Sequence, residues 1–146
     1  MLLGTIYDMQ KQFDLSEQHY REALNINPDF APAANNLAYL LAEQGKNLDE
    51  ALSFAQKAKE KLSDDPSVMD TLGWIYYKKG LYDSAKVEFE DSLAKIPDNA
   101  VVRYHLGLAY YHTGDKNRAR SELERALSLN KKFDGAEQAR RILSEL

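Results

Sequence analysis

Residues 70–97 read DTLGWIYYKKGLYDSAKVEFEDSLAKIP and contain the pattern that decides the fold. A Leu-Gly pair opens the pattern at 72–73, an alanine follows at position 85, and a proline closes it at position 97. Apolar residues in each half recur every three or four positions, which is typical of a helix with one buried face. Gly80 separates the two halves and is suited to end the first helix. The stretch therefore predicts two helices joined by a short turn.

The same pattern recurs along the whole chain with a spacing of 34 or 35 residues. Counterparts of the Leu-Gly pair stand at Leu3-Gly4, Leu37-Ala38 and Leu106-Gly107. The small residue of the second half recurs as Ser16, Ala51, Ala85 and Ala119. A period of this length indicates stacked supersecondary units that share one continuous core.

A Leu-Gly-x-x-Tyr motif followed by Ala-x-x-x-Phe and a closing proline resembles the tetratricopeptide repeat. The unit that contains Tyr76, Ala85 and Phe89 matches the motif in register. The resemblance implies an all-α fold, a right-handed α-solenoid of helix-turn-helix hairpins with a C-terminal capping helix. We expect helices over 1–11, 14–27, 31–44, 48–62, 67–79, 82–95, 100–113, 116–129 and 133–145.

We expect residues 1–146 to form a single domain with repeats over about 1–30, 31–65, 66–99 and 100–132, and a capping helix over 133–146. The first helix starts without a capping residue, and Leu2, Leu3 and Ile6 are expected to expose apolar surface. This pattern favours the C-terminal fragment of a longer array. A natural short protein with a frayed first helix is the alternative.

The composition limits the classes of function. The net charge is −4, which argues against general nucleic-acid binding because that function needs a basic face. The chain has no cysteine, so disulfides, thiolate zinc sites and cysteine nucleophiles are excluded. No apolar run approaches the roughly 18 residues that a membrane-spanning helix needs, so no direct membrane insertion is predicted.

The sequence offers no catalytic, cofactor or metal motif. Phosphate-binding, dinucleotide-binding, zinc-protease and serine-hydrolase motifs are all absent. His105 and His112 share a helix face but are separated by roughly 10 Å, too far to hold one metal ion unaided. His19 is isolated and is predicted to be a surface residue. We therefore predict a non-catalytic protein that needs no cofactor.

In the tetratricopeptide family the first helix of each pair lines the concave side of the solenoid. The resemblance therefore implies a groove in which an aromatic wall supplies anchors for a partner. In the alternative interpretation the aromatics, Trp74 above all, pack against each other between adjacent helices. The groove residues predicted in this way are Asn35, Asn36, Tyr39, Asp70, Thr71, Trp74, Tyr77, Lys78, Tyr104, His105, Leu108, Tyr111 and His112.

The predicted function is a protein–protein interaction scaffold that binds a peptide or helix in this concave aromatic groove. Family members that bind Glu-Glu-Val-Asp tails use basic clamp residues that this chain lacks, since only Asn36 fits the clamp. Alternatives are a saccharide or small-ligand carrier, and a self-assembly segment that dimerises through the uncapped N-terminal helix face. The style of the sequence looks bacterial and is similar to envelope-associated tetratricopeptide proteins of exopolysaccharide export or sorting. The sequence leaves the compartment open between the cytoplasm and a periplasmic or envelope-associated location in a bacterium.

Overall fold

The computed structural model describes residues 1–146 and consists of nine α-helices without a strand, which confirms the all-α expectation. None of these helices combines the length and the apolar composition that a bilayer crossing requires. The helices are α1 (Leu2–Met9), α2 (Phe13–Ile26), α3 (Ala31–Gln44), α4 (Leu48–Lys61), α5 (Pro66–Lys78), α6 (Tyr82–Lys95), α7 (Ala100–His112), α8 (Lys116–Leu129) and α9 (Ala136–Glu145).

Short polar signals in the sequence set the helix ends. The carboxylate of Asp65 accepts a hydrogen bond from the backbone N–H two residues on and caps α5. Asn99 and Asp115 cap α7 and α8 in the same way, three residues ahead of their N–H donors. Gly80 and Gly114 adopt φ values of 79° and 84° just beyond α5 and α7. Gly80 was predicted as a helix end, and Gly114 has the same role, because a left-handed backbone suits glycine.

The helices pair into four hairpins, and successive hairpins stack on each other. The members of each pair, α1 with α2 through to α7 with α8, pack against each other, and each second helix also contacts the next first helix. In addition, α3 contacts α5 and α5 contacts α7, which places these first helices side by side on one face. The result is the expected solenoid, with α9 packed on α8 at its end.

The two helices of a hairpin approach each other closely where a glycine faces a large side chain. A Cβ added at Gly73 would lie 2.7 Å from the ring of Phe89, and one at Gly107 would lie 2.7 Å from Leu123. The second hairpin carries Ala38 and Ala55 at the equivalent positions, both fully buried. In the second hairpin, alanine thus replaces glycine on the first helix, and alanine also replaces the large side chain on the second helix. The two changes offset each other in volume, as close packing requires.

One continuous apolar core runs through all the hairpins. Thirty-one buried residues form a single cluster that extends from Tyr20 in α2 to Ile142 in α9. Its largest fully buried members include Leu41, Ile75 and Phe89. Each hairpin therefore depends on its neighbours for burial, as in other repeat architectures.

The C-terminal helix begins at Ala136, three residues later than predicted. Gly135 has a φ of 103°, a backbone conformation that α-helices do not contain, so residues 131–135 form a loop. A Cβ at Gly135 would lie 2.4 Å from the Tyr104 ring, so this loop packs tightly against α7. Ala139 and Ile142 are buried, as the apolar stripe of α9 predicts.

The outer face of α1 is apolar and exposed. Leu2, Leu3 and Ile6 are 74%, 52% and 38% exposed, as the sequence predicts, and Met9 is 80% exposed. By contrast, α9 turns its charged residues Arg140 and Arg141 outward. The two ends of the solenoid therefore present surfaces of different chemistry.

Substitution of Gly73 by alanine tests the close packing between α5 and α6. Alanine favours a helix over glycine by about 1 kcal/mol. However, overpacking against a fully buried ring costs about 1–3 kcal/mol. We expect Gly73→Ala to lower the free energy of unfolding, measured by urea denaturation with circular dichroism.

The matched control is Gly73→Ala in a Phe89→Ala background, where the added methyl group meets no ring and should not destabilise the chain further. Ser84→Ala on the exposed face of α6 reports helix propensity alone. A Gly73→Ala variant as stable as the parent chain would contradict the packing described above.

Candidate partner-binding groove

The first helices α3, α5 and α7 and the loop before α9 enclose a concave pocket. Its volume is about 570 Å³, and seven of its thirteen lining residues are hydrophobic. This size lies within the range of roughly 300–1,000 Å³ that is typical of ligand pockets. The lining residues are Tyr39, Glu43, Trp74, Tyr77, Lys78, Val101, Tyr104, His105, Leu108, Phe133, Asp134, Gly135 and Gln138.

Trp74 forms the floor of the pocket. Its ring stacks on His105 at a centroid distance of 4.0 Å and on Tyr77 at 4.9 Å. Only 6% of Trp74 is exposed. Its place matches the alternative interpretation, in which this aromatic packs between adjacent helices.

Two polar contacts, one buried and one partly buried, fix the floor. Nδ1 of His105 lies 2.7 Å from the Oδ1 carboxylate oxygen of Asp70, which joins α7 to α5. Nε1 of Trp74 donates a hydrogen bond of 2.6 Å to the carboxylate of Glu43, which joins α5 to α3. His105 is 2% exposed, so its contact with Asp70 is shielded from water. These contacts hold three consecutive first helices in a fixed arrangement.

The α8–α9 loop closes one side of the pocket. The hydroxyl of Tyr104 donates a hydrogen bond of 2.6 Å to Oε1 of Gln138, and the Tyr104 ring lies 5.4 Å from that of Phe133. Burial, followed by the negative charge of Glu43, raises the pKa of Tyr104 to about 12. Burial also raises the pKa of Tyr77 to about 12. Both phenols are therefore neutral hydrogen-bonding groups at physiological pH.

Several predicted groove residues do not line the pocket, among them Asn35, Asn36 and Thr71. Asn35 is buried and its Oδ1 has no hydrogen-bond partner, whereas Asn36 is half-buried. The hydroxyl of Thr71 donates to the Ser67 carbonyl oxygen at 3.0 Å, a bond within its own helix.

The predicted aromatic wall includes Tyr111, but the pocket lining does not. Tyr111 and His112 lie outside the lining, and the His112 ring instead stacks on Tyr82 at 4.9 Å. His19, predicted at the surface, is half-buried against the ring of Tyr7.

Sequence reasoning missed the contribution of the α8–α9 loop. Phe133, Asp134 and Gly135 line the pocket from this loop but were predicted within the capping helix, whereas Gln138 lines it from α9, as predicted. Gly135 is the available signal, because a glycine followed by an alanine-rich apolar stripe is suited to stand just before a helix. Starting the helix after Gly135 would have placed the preceding residues in a loop.

A solenoid of stacked helical hairpins with a concave pocket defines a helical-repeat protein. Three family models described as tetratricopeptide repeat match residues 1–30, 19–53 and 76–146. The chain belongs to the tetratricopeptide repeat family. Proteins of this family are interaction scaffolds that bind protein partners and are generally non-catalytic.

Two curated relatives match over part of their length. The chain is 35% identical to the TPR repeat-containing protein PA4667 of Pseudomonas aeruginosa, over 67% of this chain and 17% of that protein. It is 36% identical to the STIP1 homolog of Dictyostelium discoideum, over 57% of this chain and 16% of that protein. The chain thus spans less than a fifth of the length of either relative.

Solved structures share the fold at low sequence identity. The thermophilic TPR protein TTC0263 of Thermus thermophilus has a TM-score of 0.82 and 21% identity, covering 98% of this chain and 77% of that one. MamA has a TM-score of 0.72 and 18% identity, covering 99% and 92%. YrrB, described as a TPR protein with an unusual peptide-binding site, has a TM-score of 0.74 and 20% identity, covering 94% and 71%. These similarities establish the fold.

The raised tyrosine pKa values predict the response of the fold to alkali. In the unfolded chain a tyrosine ionises near pH 10, whereas the folded chain retains the protons of Tyr77 and Tyr104 up to about 12. Between these values the folded state binds more protons than the unfolded state, so stability falls as pH rises. We expect tyrosinate absorbance and loss of helical circular dichroism to appear together in this window.

Tyr77→Phe is the matched variant, because phenylalanine keeps the stacked ring and removes the ionisable hydroxyl. It should shift alkaline unfolding to higher pH. Ionisation of all tyrosines at pH 10 with full retention of helix would contradict the burial of these side chains.

Proposed function

We propose that the chain holds a segment of a protein partner, as a peptide or a helix, in the concave pocket between α3, α5, α7 and the α8–α9 loop. The observation that carries the proposal is a single pocket in which apolar rings lie beside polar groups. Apolar surface supplies affinity in such sites, and a few fixed polar groups supply orientation.

The rim of the pocket, and not its floor, offers the contact surface. Tyr39 and Tyr77 are half-buried, whereas Lys78 and Gln138 are exposed. Half-buried tyrosines combine a large apolar face with a hydroxyl that can reach water or a partner. Trp74 is buried beneath them and acts as their support.

The pocket is built by contacts between elements that are distant in the chain. The bonds from Trp74 to Glu43 and from Tyr104 to Gln138 span 31 and 34 residues. A site fixed in this way loses little conformational entropy when a partner binds. This favours recognition of a short segment, since little binding energy is spent on ordering the site.

Site-specific photo-crosslinking in cells of the source organism tests the proposal. A photoreactive residue at Lys78 or Gln138 is expected to capture a protein partner, because both positions are exposed at the rim. The matched control is the same residue at Gln56 or Glu124, which are exposed on the second helices α4 and α8. Capture only at the control positions would contradict the proposed groove.

A second candidate function is self-association through the outer face of α1, favoured by the exposure of Leu2 and Met9. Contiguous apolar surface of this kind marks interaction sites. The same experiment separates the two candidates when a photoreactive residue is also placed at Leu3. Crosslinks from that position to a second copy of the chain, without capture at Lys78 or Gln138, would favour self-association.

A further inference from the structure

The charge of the pocket identifies the chemistry of its partner, on the basis of the function proposed above. Two carboxylates, Glu43 and Asp134, line the pocket, and neither takes part in any of the salt bridges of the chain. Lys78 is the single lysine of the lining. Its ammonium lies 4.8 Å from the centre of the Trp74 ring and likewise forms no salt bridge. The Lys78 ammonium therefore does not form a salt bridge with the carboxylate of Glu43 or Asp134.

Tyr39 shows where the negative charges converge. Burial is the main reason why the pKa of its hydroxyl is raised, and the charges of Glu43, Asp70, Asp134 and Asp8 raise it further. These carboxylates come from α1, α3, α5 and the α8–α9 loop, so four separate elements direct negative charge toward one tyrosine.

Of the four carboxylates, Asp8 and Asp70 lie outside the pocket lining. Asp70 is held by His105 at 2.7 Å, and one oxygen of Glu43 accepts the indole N–H of Trp74. Asp134 is exposed and the second oxygen of Glu43 has no hydrogen-bond donor. The acidic groups accessible from the pocket are thus Glu43 and Asp134.

Aromatic rings lie beside these two carboxylates. Tyr39, Tyr104 and Phe133 line the same pocket, and Tyr104 packs against Phe133. Ring faces attract cations, and the aliphatic stems of lysine and arginine pack well on apolar surface. Carboxylates that flank aromatic rings are therefore complementary to a long basic side chain and unfavourable for an acidic one.

We propose that the pocket selects a protein segment that carries a lysine or arginine, with its cation beside Glu43 and Asp134 and its stem against Tyr39, Tyr104 and Phe133. An acidic segment is rejected, because it would place like charge beside these carboxylates in a partly desolvated site. This preference is opposite to that of family members that bind tails rich in glutamate and aspartate, whose basic clamp this chain lacks.

Selection of short random peptides displayed on phage against the intact chain tests this polarity. The sequences retained are expected to be enriched in lysine and arginine and depleted of aspartate and glutamate. Synthetic copies should alter the fluorescence of Trp74, the only tryptophan of the chain. Their affinity should fall as salt is raised beyond roughly 0.15 M, because ions screen exposed charges.

Paired charge variants identify the groups responsible. Glu43→Gln with Asp134→Asn keeps the shape of the pocket and an acceptor for Trp74, and should weaken basic peptides by about three- to tenfold. Glu124→Gln with Glu145→Gln removes the same charge from exposed positions outside the pocket and should leave affinity unchanged.

The outcomes separate the two proposals. The basic-segment proposal is overturned, and the groove is left in place, if the retained peptides alter Trp74 fluorescence but are acidic or neutral. The same holds if they bind the Glu43→Gln/Asp134→Asn variant as tightly as the parent. Failure to retain any peptide that alters Trp74 fluorescence would overturn both.

Discussion

The close contact between the two helices of each hairpin is the constraint on which the structure depends. At Gly73 and Gly107 the backbone of a first helix lies directly against a large side chain of the second, Phe89 or Leu123. Because there is no free space at these points, the angle within each hairpin is fixed. Similar hairpins then stack with similar geometry, which places α3, α5 and α7 side by side and creates the concave pocket.

The recognition proposed for this pocket depends on polar contacts. The pairs Glu43–Trp74 and Asp70–His105 hold the helices together. Glu43 and Asp134 lie in the same pocket as aromatic rings and Lys78, and neither carboxylate forms a salt bridge within the chain. The same residue, Glu43, thus both supports the floor of the pocket and contributes to the charge that a partner would meet. In the proposed function, structure and recognition are coupled through this one carboxylate.

The sequence predicts the helices well because their causes are local. The repeat period, Gly80 and the Asp65 cap are short-range signals, and they place the helix ends within a few residues. The pocket depends on contacts across the fold and is predicted less well. Helical spacing places Trp74 on the concave side but does not show that His105 and other rings cover it. Residues 133–135 of the α8–α9 loop were predicted as helix, because the charged and apolar pattern of the last helix continues through them.

We expect the pocket to be formed before any partner binds, and the indole N–H of Trp74 reports this directly. Its signal can be followed by nitrogen-15 NMR while the protein exchanges into heavy water. The hydrogen bond to Glu43 and the 6% exposure predict a single signal that exchanges as slowly as the backbone amides of α5. Rapid exchange of the indole proton, with the α5 amides still protected, would contradict this expectation, because it would show that the pocket is open and unformed in the free protein.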